Sequence, residues 1–237
     1  MTDELKEFLS FKDIKEALNK NDLKYCFDIL LGSDQYSLIK DFNELLMESK
    51  VNPVDYIDRI YSHQFNTSKI ENITIPKNIK IIDAYAFCGC ADLAKVTIPE
   101  SVIYIGDAAF LDCTSLTNVT IPNSVTNIGD SAFYGCTGLT SITIPDSVTS
   151  IGFAAFSGCT ALTSVKLGSG VMSIGGEAFF RCYRLTSIEI PDSVFSIGDA
   201  VFANCHDLTS VTIPSKFKNK IRGIFRSKAY EINFKFI

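Results

Sequence analysis

Cysteine has the most chemistry open to it in this chain. Eight are present, and thiolates bind zinc, close disulfides and act as nucleophiles. Spacing decides among these uses. Zinc sites pair one Cys-x-x-Cys with another. Here only Cys88-Gly89-Cys90 comes close, and no second pair follows. The dominant pattern is instead Cys90, Cys113, Cys136, Cys159, Cys182 and Cys205, one every 23 residues. Thiols so placed stack as a ladder rather than cluster. They are expected to be buried, free, small core residues that hold no metal. A ladder of free thiols suits a reducing compartment better than an oxidising one.

The rest of the catalytic inventory is thin. The two histidines, His63 and His206, sit in no nucleophile or metal motif. No Gly-x-Ser-x-Gly, His-Glu-x-x-His or P-loop is present. The sequence therefore predicts a protein without catalytic activity and without a cofactor.

The cysteine period belongs to a larger one. Pro76, Pro99, Pro122, Pro145, Pro191 and Pro214 share the 23-residue grid, with Gly168 in the missing place. So do Phe87, Phe110, Phe133, Phe156, Phe179, Phe202 and Phe225. One unit reads Leu116-x-x-Val119-x-Ile121-Pro122-x-Ser124-Val125-x-x-Ile128-Gly129-x-x-Ala132-Phe133-x-x-Cys136. Val119 and Ile121 alternate with Asn118 and Thr120, the two-residue period of a strand. Pro122 has no N–H and ends the ladder. Val125, Ile128, Ala132, Phe133 and Cys136 turn the chain back with apolar sides inward, and Gly129 is expected to supply a tight bend. A single unit cannot bury its own apolar face, so the units must stack. The grid predicts eight parallel strands near residues 73–75, 96–98, 119–121, 142–144, 165–167, 188–190, 211–213 and 234–236. Residues 215–237 keep Phe225 but place Lys228 where a cysteine would fall, the pattern of a capping repeat.

The unit closely resembles the BspA-like leucine-rich repeats over residues 70–214. The resemblance implies an α/β solenoid, a right-handed superhelix with a parallel sheet on its concave side. It also implies a binding protein, since many members are described as surface adhesins or host-binding proteins.

Ahead of the repeats the period changes to that of helices. Leu5, Phe8 and Leu9 share a face, as do Leu23, Phe27, Leu30 and Leu31. Five short amphipathic helices are expected over residues 3–65, forming a small all-α domain. We place that domain at residues 1–68, where it would cover the first rung of a solenoid spanning 69–237. No run approaches the ~18 apolar residues of a membrane span. The amino terminus has neither the basic start nor the apolar core of a signal peptide, which points to the cytoplasm. The family resemblance points instead to the cell surface or secretion.

Charge is unevenly spread. Residues 1–75 carry a net −5, residues 76–214 a net −6 and residues 215–237 a net +6. An acidic body is unsuited to a phosphate backbone, so no nucleic-acid partner is expected. The leading reading is a scaffold that binds a protein, or a glycan, through the solenoid surface. The alternatives are a surface adhesin, or an assembly subunit that docks through the helical domain.

Two groups of residues are candidates for that contact. The outward strand positions include Lys95, Asn118, Ser141, Ser164 and Ser187 in one ladder, and Lys166 and Glu189 in the next. Lys166 and Glu189 interrupt a run of threonines on adjacent rungs and are candidates to pair. The second group is Phe180, Arg181, Tyr183 and Arg184, the extra residues of the repeat that departs most from its neighbours. Aromatic and arginine side chains dominate the energetics of interfaces. Asn66, Asn72 and Asn118 each start an Asn-x-Ser/Thr glycosylation pattern, read here as a by-product of a threonine-rich repeat.

Overall fold

A computed structural model describes residues 71–75 and 77–237. The helices expected over residues 3–65, with His63, the Asn66 pattern and the boundary at residue 68, lie outside the described residues.

Eight strands recur on the grid: β1 (Asn72–Thr74), β3 (Lys95–Thr97), β5 (Asn118–Val119), β7 (Ser141–Thr143), β9 (Ser164–Lys166), β11 (Ser187–Glu189), β13 (Ser210–Ile213) and β14 (Asn233–Phe236). Each starts one residue before its expected window. The pairs that form are parallel and shifted by one repeat, as in Ile73 beside Val96, Ile142 beside Val165 and Val211 beside Phe234. Within a strand the burial alternates, the central Val96 or Ile142 facing in and its neighbours facing out. A second parallel sheet runs along the returning limb: β2 (Ile81–Ile82), β4 (Tyr104–Ile105), β6 (Asn127–Ile128), β8 (Ser150–Ile151), β10 (Ser173–Ile174) and β12 (Ser196–Ile197).

The expected α/β class is corrected by this limb. It holds two left-handed residues per turn, and both recur on the grid. Tyr85, Ala108, Ser131, Ala154, Glu177 and Ala200 have φ of 51–61°. Gly89, Asp112, Gly135, Gly158, Arg181 and Asn204 have φ of 56–75°. An α-helix of L-residues does not accommodate such positions. The limb instead turns sharply twice and hands its backbone N–H groups to the next rung, as in Phe110 N to Ala132 O and Phe133 N to Ala155 O, both 2.7 Å. The solenoid is therefore mainly β. The one α-helix among the described residues is α1 (Ile221–Phe225), set between two 3-10 segments in the closing repeat.

The glycine at the start of each turn is also corrected. Gly106, Gly129, Gly152, Gly175 and Gly198 are not among the left-handed residues. They are needed because the preceding rung leaves no room for a side chain. A Cβ on Gly106 would lie 2.6 Å from Ala84 N, and one on Gly175 would lie 2.5 Å from both Gly152 C and Phe153 N.

Inside, seven phenylalanines form a continuous stack from Phe87 to Phe225, with ring centroids 5.1–5.5 Å apart and planes within 15°. The closing strand caps it, with Phe234 meeting Phe225 edge-on at 5.1 Å. Serine and threonine tie rungs together: Ser124 Oγ donates to Val102 O at 2.6 Å and Thr163 Oγ1 to Thr140 O at 3.0 Å.

The long-strand sheet is interrupted once. It consists of a five-stranded part, β1 to β9, and a three-stranded part, β11 to β14. Just after β9 the chain packs closely on the rung before it. A Cβ on Gly168 would lie 2.5 Å from Pro145 C, and Ser169 N donates to Asp146 Oδ1 at 2.6 Å. Glycine replaces the repeating proline here, and it permits that close approach.

The cysteine ladder from Cys90 to Cys205 is buried and in the thiol form, with no disulfide along it. From Cys113 on, each thiol donates to a phenylalanine carbonyl of the preceding rung, as Cys136 Sγ does to Phe110 O at 3.1 Å. Burial, reinforced by Asp112, pushes Cys136 up to about 12, and burial raises Cys159 and Cys182 well above the ordinary thiol value. Thiol titration of the native chain is expected to label half-buried Cys88 ahead of these six, which should react only on unfolding. The folded chain also keeps these protons where the unfolded chain has lost them. Stability should therefore fall as pH rises from about 9 toward 12, by about 1.4 kcal/mol per pH unit for each such thiol. Fast native labelling of all seven, or a flat alkaline profile, would contradict this burial.

Candidate functional site

Stacking dictates the inward side chains, so specificity can reside only outward. The outward face of the long-strand sheet carries Asn118 and Thr120, Ser141 and Thr143, and Ser164 and Lys166 on successive rungs, all exposed. A groove of about 560 Å³ crosses these rungs. Asn118, Thr120, Ser141, Thr143 and Lys166 line its floor, and Glu100, Asn123 and Asp146 line its rim, beside Pro122, Pro145 and Gly168. The floor offers hydroxyls, an amide and one ammonium, and the rim offers two carboxylates. No aromatic ring lines it.

Asp146 is oriented by its neighbours. Its Oδ1 accepts from Ser169 N at 2.6 Å and from Ser169 Oγ at 3.0 Å. These two bonds, in that order, hold its carboxyl below the ordinary value, with Lys166 adding to them. The carboxylate is thus held against Ser169 in its charged form.

Of the strand-face candidates, Lys166, Asn118 and Ser141 meet in this groove. Lys95, Ser164, Ser187 and Glu189 are exposed on the same sheets but do not line it. Lys166 and Glu189 do not pair. Among the described residues the ion pairs are Lys216–Asp192 at 3.5 Å and Arg226–Asp199 at 4.0 Å. The interruption between β9 and β11 falls between these two side chains.

Phe180, Arg181, Tyr183 and Arg184 lie on the return turns of the same repeat, away from the groove lining. There Arg181 covers the Phe180 ring at 4.9 Å, and Tyr183 stacks on His206 at 5.1 Å. Sequence reasoning missed the rim and His206, although both were marked on the grid. Glu100, Asp146 and Asp192 occupy the place after the repeating Pro, and His206 is Tyr183 advanced by one repeat. It also missed the exposed Phe153 and Phe195 of the returning limb, since each is a single residue that leaves the 23-residue period intact. Among the described residues no cluster of three His, Cys, Asp or Glu side chains is placed to hold a metal ion.

The BspA-type leucine-rich-repeat region is matched in six copies, over residues 58–141 and 126–235. The chain belongs to this family. Among solved structures, this BspA-type chain is similar to the leucine-rich-repeat protein of T. pallidum, with 31% identity and a TM-score of 0.54, covering 65% of this chain and 83% of that one. It is also similar to a leucine-rich-repeat protein of Bacteroides ovatus, with 31% identity and a TM-score of 0.45, covering 72% of this chain and 55% of that one. The pneumococcal vaccine antigen PcpA shares the fold at 24% identity and a TM-score of 0.56, covering 70% of this chain and 41% of that one. The chain thus spans only about half, or less, of the latter two. No curated protein matches it. No helix of the described residues is long and apolar enough to cross a membrane.

Proposed function

We propose that this BspA-type solenoid is a non-enzymatic binding scaffold whose ligand, a protein or a glycan, lies across the groove over β5, β7 and β9. One observation carries the reading. The outward residues of three successive rungs, free of any stacking duty, line one concavity with both signs of charge at fixed places. Membership of the family supports display at the cell surface or secretion over the cytoplasmic expectation, and so supports the adhesin as a second form of the same reading. Antibody access on intact cells is the check on that form.

The test fills the groove and reverses its one ammonium. Ser141→Tyr and Thr143→Tyr suit strand positions, and Lys166→Glu inverts the charge. Arrays of immobilised matrix proteins and glycans should retain the parent and lose the triple variant by about tenfold or more, since 1.4 kcal/mol already gives that factor. Equal retention of a folded triple variant would move the site off the strand face.

A further inference from the structure

The return-turn cluster on the fifth rung is built differently from every equivalent turn. Its left-handed position holds Arg181 at φ 58°, where the other rungs have Gly89, Asp112, Gly135, Gly158 and Asn204. Those are residue types that tolerate this region, and arginine is not one of them. The strain is accepted together with a gain in side-chain chemistry. Arg181 is exposed and lies over Phe180, Arg184 is exposed three residues on, and Tyr183 stacks on His206 of the next rung. Residues 76–214 hold six basic residues, and two of them are these arginines. Neither is in the ion pairs of the described residues, and Asp207, one rung on from Arg184, does not pair with it.

We infer that this turn is a second binding surface, which takes a short acidic peptide segment of a protein partner. Planar guanidinium forks grip carboxylates in pairs of parallel hydrogen bonds. The rings of Phe180 and Tyr183 supply apolar contact for the segment's flanks. A free phosphate or sulfate fits less well. Such anions favour concave nests of backbone N–H groups, and here the N–H groups of Phe180, Arg181, Cys182 and Tyr183 are spent on Glu177, Ala203, Phe179 and Arg181 carbonyls. A long polyanion is disfavoured by the body around the cluster, which carries a net −6 over residues 76–214. A short acidic segment avoids most of that repulsion, because screening confines charge interactions to about 8–10 Å at physiological salt.

The test uses the full chain and fluorescence anisotropy with three probes. These are a labelled peptide of alternating glutamate and leucine, its glutamine-for-glutamate counterpart, and a heparin octasaccharide. The glutamate peptide should bind about tenfold or more tightly than the glutamine one, the factor for one strong charge-assisted contact. The double variant Arg181→Gly with Arg184→Ala should abolish that difference. Arg181→Gly alone should weaken binding while leaving the melting temperature unchanged or raised, because glycine is at ease at this φ. That variant keeps the test free of misfolding, and Arg184→Gln gives a second. Equal binding of the two peptides overturns the inference, as does full retention by a folded double variant. Binding of heparin without the glutamate peptide also overturns it, in favour of a polyanion. The strand-face groove is untouched by these changes, so the two proposals fail separately.

Discussion

Truncating Phe133 or Phe156 to alanine is expected to destabilise the solenoid by about 3–5 kcal/mol, the range for a buried phenylalanine. Both rings are fully buried, and each is stacked on both sides at 5.1–5.3 Å. Removal therefore loses two aromatic contacts as well as the buried area. The cavity cannot easily collapse, because the backbone around it is tied to both neighbours. Phe133 N donates to Ala155 O at 2.7 Å, while Phe133 O accepts the Cys159 thiol at 3.2 Å. Each rung of a solenoid depends on its neighbours, so one defect weakens two interfaces. For a unit of this size the loss corresponds to a fall in melting temperature of roughly 10 °C. Phe153→Ala supplies the control. Its side chain is half exposed, and its removal should cost no more than about 1 kcal/mol. Equal melting temperatures for Phe133→Ala, Phe153→Ala and the parent would show that the stack is not what stabilises the core.

The second large effect is expected at Gly175. Gly175→Ala should cost about 3 kcal/mol, near the top of the range for overpacking, and Gly175→Asn at least as much. The added Cβ would meet Gly152 C and Phe153 N at 2.5 Å and Gly152 O at 2.6 Å. All three are backbone atoms, and Gly175 N is itself bonded to Ile151 O at 2.8 Å, so the rungs cannot part without breaking that ladder. Asparagine separates this cause from a need for a left-handed backbone, which asparagine tolerates. Gly89 makes the contrast. It sits at φ 75° with nothing within 4 Å of an added Cβ, in a place where Asn204 and Asp112 occur on other rungs. Gly89→Asn should therefore change stability by no more than about 1 kcal/mol. Chemical denaturation of the three variants measures this directly. If Gly175→Asn is as mild as Gly89→Asn, close approach is not the reason for that glycine.

The two effects differ in how visible they were beforehand. The phenylalanine and cysteine ladders, the inward Val and Ile, the eight strands and the closing strand at Phe234 and Phe236 were all legible in the residues. Each depends on one-dimensional stacking: a rung meets only the rungs before and after it, so a position's burial repeats every 23 residues and is written as a period. The site was legible only in pieces. Lys166, Asn118 and Ser141 stood out as outward residues, but the groove that unites them with Glu100 and Asp146 depends on where the rim lies relative to the sheet. The same limit applies to Phe180 and Tyr183, whose rings meet Arg181 and His206 respectively rather than the strand face. The class of the returning limb, the reason for Gly175 and the interruption between β9 and β11 were decided by tertiary structure alone. They turn on how closely one backbone approaches the next and on which residues take a positive φ. Residue type limits both quantities, but only the packing of successive rungs sets them.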